Sequence, residues 1–365
     1  MPARLERLHF MDSMRAVLMM LGVVLHSAQV FNPEQTWLIY SQNGEGLMAQ
    51  VVSVISTFRM PAFFVVSGYF CYRMIARYDA LRFLGTRLKR LVIPFVCVAL
   101  IVNSFQATFL SLAGWQQIEI REYAVQGGYI SHLWFLVNLS VYIALFALLG
   151  GIFKPWSRQV AVLTGNALSN VNMLLVLFLL PLCSVGILGL NKVGFPLYSN
   201  FFGVFSAYSL LVYLPFFVFG AVIAIKRDFI DRFCKSSPAF CVLVIASATL
   251  LVSQLPDSGG LLFTVAHSYL SALAQWFSVL LCFVVFYRFF DKPSAAMQLA
   301  SESSYTVYLF HQLLVVLLGA LLIYLEVSAV VGWLILVVSV TGIALLIHKR
   351  VIARHRVLCL MFNGK

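Results

Sequence analysis

An arginine and a histidine stand in the first apolar run of the chain, where a lipid-facing helix rarely carries either. Arg15 and His26 are eleven residues apart, so on a helix they share one face, about 20° apart around the axis and about 16 Å apart along it. A guanidinium binds anions and an imidazole can act as a general base. Asp12 is predicted to pair with Arg15; in the structural alternative it also caps the helix, and Arg15 reaches the inner membrane surface. For His26 the alternative is a hydrogen bond to a neighbouring helix.

A second arginine lies deep in the next apolar run. Arg59 follows the predicted outer edge of that run by about nine residues, and Pro61 removes a backbone donor two residues later. Ser67 and Gly68 permit close helix packing. A charged group within lipid costs a few kcal/mol or more, so Arg59 needs a carboxylate, backbone carbonyls or an anionic ligand.

Two later segments add polar residues to apolar runs. His132 and Trp134 open one run, where they are either interface anchors or parts of a site. Tyr308, His311 and Gln312 lie at spacings of three and four and therefore share a helix face. A buried histidine satisfied by hydrogen bonds is the alternative for His311. A Ser-rich segment, SESS at 301–304, is predicted to cap this helix.

The composition predicts a membrane protein that crosses the bilayer several times. The chain has 365 residues, of which 62% are hydrophobic and 10% charged, whereas soluble domains have about 25% charged residues. The net charge of +12 is scattered between apolar segments, which favours membrane topology over nucleic-acid binding. The seven cysteines lie in or beside apolar runs and form no CxxC or Cys/His pattern, so neither a disulfide framework nor a metal site is predicted.

The elements that must position these residues are long helices. A helix needs about 20 apolar residues to cross a bilayer. The sequence predicts an all-α bundle of about ten spans, the first of them uncleaved, in a single domain over 1–365 with no soluble domain. The ten spans are 12–31, 50–72, 91–113, 131–153, 171–190, 205–225, 238–255, 265–288, 303–324 and 328–348. The longest connections are 32–49, 114–130 and 154–170.

The distribution of basic residues predicts the orientation. With both termini in the cytoplasm, 21 of the 25 Lys and Arg residues fall on the inner side. Only Arg121 and Lys192 fall outside, and Arg15 and Arg59 lie within spans. This asymmetry follows the positive-inside rule.

Five segments resemble the acyltransferase-3 family of membrane acyltransferases. They occur in the family's order over nearly the whole chain: Arg15 and His26 with ten residues between them, RMPAFFVVSGYF (59–70), RLKRLVIPF (87–95), HLWFL (132–136) and SYTVYLFHQ (304–312). Segment 87–95 looks like the family's basic turn into the third span. Ten spans fit the family core, and the lack of a fused extracytoplasmic hydrolase-like domain excludes one large subgroup.

Within the family, the wording of these segments is most similar to enzymes regarded as succinyltransferases of osmoregulated periplasmic glucans. The resemblance implies a multi-pass enzyme of the bacterial inner membrane that moves a succinyl group onto glucan hydroxyls. Its implied donor is succinyl-CoA or acetyl-CoA, with no permanently bound cofactor. Its partners are then membrane lipid, a glucan acceptor and the acyl-CoA donor. O-acetylation of another cell-surface polysaccharide is the alternative, because acetyl-transferring relatives share the motifs.

Acyl transfer gives the polar residues distinct roles. His26 is expected to be the general base for a sugar hydroxyl, or to carry the acyl group itself. Arg59 is expected to stabilise the tetrahedral oxyanion or to bind the free carboxylate of a succinyl group. Arg15, helped by Lys89, would meet the donor phosphates at the cytoplasmic end. The residues assigned to substrate or donor binding are Asp12, Arg15, Arg87, Arg90, His132, Trp134, Tyr308 and His311.

Two other classes of protein remain open from the residues alone. A proton-coupled transporter or flippase could use Asp12, Arg15 and His26 as a proton relay. A structural membrane subunit would leave Arg59 and His26 without a reason.

Overall fold

A computed structural model describes residues 8–75, 80–152, 172–201, 203–256 and 260–364. Six of the basic residues counted for the topology lie outside these ranges, namely Arg4, Arg7, Arg77, Lys154, Arg158 and Lys365. Connection 154–170 lies outside them as well. The single domain over 1–365 stays a prediction.

The chain forms helices almost throughout the described ranges. The first half contains α1 (His9–Val30), α2 (Gly46–Ile75), α3 (Ala80–Cys97), a π-helical turn (Val98–Asn103), α4 (Ser104–Leu112), α5 (Ile120–Val125), a 3₁₀ turn (Ser131–Leu133), α6 (Trp134–Ile152), α7 (Met173–Leu179) and α8 (Leu182–Lys192). The second half contains a short hairpin of β1 (Asn200–Phe201) and β2 (Phe205–Ser206), then α9 (Ala207–Ile223), α10 (Arg227–Cys234), α11 (Pro238–Gln254), α12 (Leu261–Phe289), α13 (Ala295–Tyr324), α14 (Ala329–Leu346), a π-helical turn (Ile347–Val351), a 3₁₀ turn (Ile352–Arg354) and α15 (Arg356–Asn363).

The described helices confirm an all-α membrane bundle. Eight are long and apolar enough to cross a membrane. Helix α9 forms a ninth with α10 if that pair, bent by 118°, is one span, and α11 is a shorter apolar helix. Each predicted span therefore coincides with an apolar helix or helix pair, and span 171–190 is interrupted between α7 and α8. Helices suit this environment because they satisfy their own backbone hydrogen bonds.

Two predicted boundaries are wrong. The third span begins at Ala80 rather than at 91, so Arg87 and Arg90 lie inside a helix and not in a turn before it. The ninth span begins at Ala295, so the SESS segment at 301–304 is not a cap. Both helices begin before their apolar runs, in segments that include polar residues. The apolar runs alone therefore do not predict where these helices begin.

Two glycines allow α2 and α9 to pack closely. A Cβ on Gly68 would lie 1.9 Å from the carbonyl oxygen of Phe217, and one on Gly220 would lie 1.9 Å from that of Val65. Any side chain at either position would collide with the backbone of the other helix. The predicted close packing at Gly68 is confirmed, and α2, which carries Arg59, is held firmly against α9.

Contacts with α1 give the relative directions of its neighbours. The sulfur of Met14, near the start of α1, lies 3.7 Å from that of Cys282 in the second half of α12. Trp333, near the start of α14, donates its indole N–H to the carbonyl of Val24, at 3.1 Å. Helices α12 and α14 therefore run antiparallel to α1, as their places in the chain predict. The assignment of that end to the cytoplasm stays a prediction.

Candidate active site

A cavity of about 350 Å³ lies at the end of the bundle where α1 begins. Its polar lining includes Arg15, Ser67, Arg87, Arg90, Ser301, Glu302, Ser304 and Asn363. Three guanidinium groups and one carboxylate make this lining cationic. The structure thus brings together the three arginines that the sequence assigns to donor binding, which lie up to 75 residues apart in the chain.

Arg15 is held in this cavity by contacts on three helices. Its Nη2 lies 3.7 Å from Oδ1 of Asp12, which confirms the predicted pair, and 3.2 Å from Oγ of Ser301 on α13. Its guanidinium carbon lies 5.3 Å from the ring centre of Phe70 on α2. The ion pair is partly exposed, so solvent as well as Asp12 stabilises this charge.

Three histidines meet one another toward the other end of α1. The ring centroids of His26 and His311 are 5.1 Å apart, and those of His132 and His311 are 5.3 Å apart. His311 is only 1% exposed and His132 only 7%. Since Arg15 and His26 both contact α13, at Ser301 and His311, the shared face predicted for them is confirmed.

Backbone and amide oxygens orient two of the imidazoles. The Nδ1 of His311 lies 2.7 Å from the carbonyl oxygen of Tyr308. A carbonyl can only accept, so Nδ1 carries the proton and Nε2 has a free lone pair. The Nδ1 of His26 lies 2.8 Å from Oε1 of Gln29, and the ring of Trp37 stacks on it at 5.5 Å. With Gln29 accepting, His26 adopts the same tautomer.

Hydrogen bonds from α13 to the backbone of His132 and to the side chain of Ser131 hold the third histidine in place. Tyr308 donates its hydroxyl to the carbonyl of His132, at 2.7 Å. Gln312 donates to Oγ of Ser131, at 2.6 Å, and Ser131 has a φ of +45°, a strained conformation for a residue with a side chain. Helix α13 thus holds the residues before the start of α6 in place. The carbonyls of Tyr308 and Leu309 lie near the His132 ring, but neither ring nitrogen forms a well-aligned hydrogen bond.

Arg59 points its guanidinium at the same group of residues. A Cβ placed on Gly22 would lie 2.8 Å from Nη1 of Arg59 and 3.3 Å from Nε2 of His311. With no side chain at Gly22, the guanidinium of Arg59 and the imidazole of His311 both lie against the backbone of α1, close to each other. A ligand that contacts both groups meets a hydrogen-bond donor and a base together, which is the arrangement that acyl transfer requires.

Several buried polar atoms of Arg59, His311 and His132 lack a hydrogen bond to protein. Within the described ranges, Nε of Arg59, Nε2 of His311 and both ring nitrogens of His132 are buried without a hydrogen bond. Arg59 makes no ion pair with any described residue either; its electrostatic neighbours are Tyr308 and Tyr213. Because buried polar groups are normally satisfied, this arrangement favours a bound ligand or water. Among the described residues, no group of three His, Cys, Asp or Glu side chains could hold a metal ion.

The remaining site residues fall into two groups. Trp134 stacks on Tyr213 of α9, at 5.3 Å, so it lies beside the histidines rather than among them. Gly22, Gln29 and Trp37 belong to the site and were missed by sequence reasoning. Gln29 lies one helical turn from His26 and could have been found from that spacing, whereas no local pattern marks Gly22 or Trp37.

A layer of large side chains separates the cavity from the histidines. Met19, Phe63 and Phe135 line the cavity, and all three are nearly buried. Met19 lies three residues before Gly22, and Phe63 lies four residues after Arg59. Along α1, the lining residue Met19 therefore lies about one helical turn, or about 5 Å, from Gly22.

Comparisons with known proteins identify the family of this chain. A family profile described as an acyltransferase domain matches residues 8–349. Relatives named glucans biosynthesis protein C, from Salmonella gallinarum, Salmonella paratyphi B and Salmonella dublin, are each 28% identical over 371 aligned positions, which cover 98% of this chain and 95% of the relative. No solved structure matches the chain. Since the profile matches nearly the whole chain, the protein belongs to the acyltransferase-3 family of membrane acyltransferases.

Proposed function

We propose that this membrane acyltransferase moves a succinyl group from a cytoplasmic coenzyme A thioester onto a hydroxyl of a periplasmic glucan, in the bacterial inner membrane. The observation that carries the proposal is the close approach of Arg59 and His311 to each other at Gly22. The arginine-lined cavity lies at the opposite end of the same helix. The relatives' name supports glucan as the acceptor.

The donor would bind in the cavity at the start of α1. Coenzyme A carries several phosphate charges, and Arg15, Arg87 and Arg90 offer guanidinium groups that suit phosphate oxygens. Glu302 and Asp12, the ion-pair partner of Arg15, oppose an anion, but the three cations outnumber the two carboxylates. The pantetheine arm is long enough to cover the separation of about 16 Å between Arg15 and His26, once the side chains of Met19 and Phe63 move aside.

The reaction then needs a base and a donor to the oxyanion. His26 takes the proton of the sugar hydroxyl while the sugar oxygen attacks the thioester carbonyl. A C–O bond forms, and Arg59 donates to the oxygen that becomes negative. The C–S bond then breaks, and the departing thiolate receives the proton from His26. His311 accepts, through Nε2, a hydrogen bond from a neighbouring hydroxyl of the acceptor sugar and so keeps the sugar aligned.

An alternative role of Arg59, in place of oxyanion stabilisation, favours succinyl over acetyl as the transferred group. A guanidinium within the membrane needs an anion, and no described residue supplies one. The free carboxylate of a succinyl group would supply it through two parallel hydrogen bonds. An acetyl group has no such charge.

The test uses purified protein in lipid nanodiscs with glucan and either succinyl-CoA or acetyl-CoA. Mass spectrometry of the glucan should show succinyl esters forming faster than acetyl esters, and His26→Ala should form neither while remaining folded and inserted. Faster acetyl transfer would contradict the succinyl assignment and support acetylation instead. A transporter or flippase would move substrate without forming any new ester, and that result would reject the proposed function.

A further inference from the structure

A second cavity, of about 450 Å³, lies between α8, α9 and α12. Its volume is within the range of roughly 300–1,000 Å³ that small-molecule sites occupy. It is lined by the first half of α12, from Phe263 to Gln275. Because the second half of α12 packs against the start of α1, through Cys282 and Met14, this cavity lies at the His26 end of the bundle.

One face of α12 supplies most of the polar lining. The polar residues on this face are Thr264, His267, Ser268, Ser271 and Gln275, whose spacings of three and four place them in one stripe about 16 Å long. Polar groups on a membrane-spanning helix are expected to face water or a ligand rather than lipid. The stripe therefore indicates that water or a polar ligand fills the cavity.

The side chains of this stripe are available for a ligand. Apart from a long contact of 3.5 Å from Thr264 to the carbonyl of Gly260, they form no hydrogen bond with a described residue. Two serines elsewhere in the bundle behave differently, since Ser140 and Ser303 bond the carbonyl one turn earlier, both at 2.7 Å. Hydroxyl, imidazole and amide groups thus face the cavity with free donors and acceptors.

The charge of the lining indicates the class of ligand. None of the described lining residues is Lys, Arg, Asp or Glu, whereas the cavity at Arg15 has three arginines. A phospholipid headgroup or a nucleotide would leave its phosphate without a cation here. Tyr208 lines the cavity and its ring lies 5.4 Å from that of Tyr198, and both rings are exposed. Neutral hydroxyl-rich rings fit such a lining, because sugar hydroxyls bond Ser, Thr and Gln and sugar faces pack on tyrosine.

We propose that this cavity is a carbohydrate subsite that binds the acceptor glucan at a distance from the reacting hydroxyl. The inference rests on the proposed function and extends it to a second binding site. Helix α9 separates the two sites: Tyr208 faces the cavity, and Tyr213 stacks on Trp134 near the histidines. A glucan chain that passes over the start of α9 occupies both sites, but a disaccharide occupies only one.

The test compares acceptors of different length. The variant Ser271→Ala with Gln275→Leu should raise the KM for glucan fragments of ten or more glucose units about five- to tenfold, since it removes polar contacts to the distal part of the chain. The kcat, the KM for succinyl-CoA and the KM for a glucose disaccharide should not change. Ser253→Ala, on α11 and outside this cavity, is the matched control and should change none of these values.

A direct binding measurement separates this inference from the proposed function. A fluorescently labelled fragment of twelve glucose units is titrated into wild-type and variant nanodiscs without any donor. Weaker binding by the variant, with an unchanged melting temperature, supports the subsite even if no ester ever forms. Equal binding, together with equal KM values at every length, overturns it. Loss of co-purified phospholipid from the variant, with equal glucan binding, would assign the cavity to lipid and overturns it as well.

Discussion

Arg15 and Arg59 are both guanidinium groups in membrane-spanning helices, yet their surroundings differ completely. Arg15 lies beside Asp12, Ser301 and the ring of Phe70 at the edge of a cavity. Arg59 has a buried Nε and neither a hydrogen bond nor an ion pair with a described residue. The first charge has an ion-pair partner without any substrate, whereas the second would gain a partner from an anionic or polar group of a substrate.

This contrast favours donor binding as the role of Arg15 and the chemical step as the role of Arg59. A solvated arginine with a partner can exchange one anion for another at low cost, which suits reversible binding of a donor. An arginine without a partner gains most when negative charge develops next to it, and such charge appears on the carbonyl oxygen during acyl transfer. Interactions that strengthen in the transition state are the ones that accelerate a reaction. The two arginines therefore predict different kinetic defects.

The largest defect is expected from the base. His26→Ala should lower kcat by about 10²- to 10⁴-fold, because the sugar hydroxyl loses its proton acceptor. Ester formation on glucan is measured by mass spectrometry, and elution as a folded species on size exclusion confirms insertion. Near-normal turnover would show that His26 is not the base. His311→Ala, a matched loss of an imidazole 5.1 Å away, should then be the more damaging change.

The next defect compares the two arginines directly. Arg59→Lys should lower kcat about 100-fold, because it keeps the charge but loses the planar fork that aligns two hydrogen bonds. Arg15→Lys should keep kcat, because a point charge still attracts phosphate. Initial rates at saturating donor measure both variants. Equal losses of kcat would contradict the division of roles between the two arginines.

A substitution in the donor cavity should weaken donor binding without changing kcat. Arg15→Ala should raise the KM for succinyl-CoA about tenfold and leave kcat unchanged, since one charged contact to phosphate is lost. The wild-type KM should also rise with ionic strength, because salt screens contacts at an exposed site. Titrations of succinyl-CoA at low and high salt provide the check. An unchanged KM would place the donor phosphates elsewhere.

The smallest defect is expected from adding a side chain at Gly22. Gly22→Ala places a methyl group 2.8 Å from Nη1 of Arg59, so the guanidinium must shift and kcat should fall about fivefold, by loss of alignment. Stability should hardly change, because the tip of a long side chain moves easily. Gly342→Ala on α14 is the control, since a Cβ there meets nothing within 4 Å. Equal activities of the two variants would show that the close approach of Arg59 and His311 at Gly22 has no part in the reaction.

The sequence predicts the helices well because lipid imposes one strong rule. Apolar runs of about 20 residues must be helices, and each predicted span coincides with an apolar helix or helix pair. The starts of α3 and α13 were misplaced, because Arg87, Arg90 and Ser301 continue the helices beyond their apolar runs. These polar residues face a cavity instead of ending the helix.

The sequence predicts which polar residues lie together where one helix carries them. Arg15 and His26 share a face because of their spacing alone, and Tyr308 and His311 follow the same rule. Contacts between distant segments could not be predicted this way. Trp37 reaches His26 from a loop, and Ser131 receives a hydrogen bond from Gln312, which is 181 residues away. Arg59 approaches His311 because Gly22 has no side chain. The residues around Gly22 in the sequence do not predict that contact.

The central claim is that donor and acceptor approach the reaction from opposite ends of α1. It is tested most directly in sealed vesicles that enclose glucan and carry the protein, with radiolabelled succinyl-CoA added outside. Vesicles in which the Arg15 end faces outward should place label on the enclosed glucan, while the coenzyme A stays outside. Label that appears only when glucan and donor are on the same side of the membrane would contradict the claim.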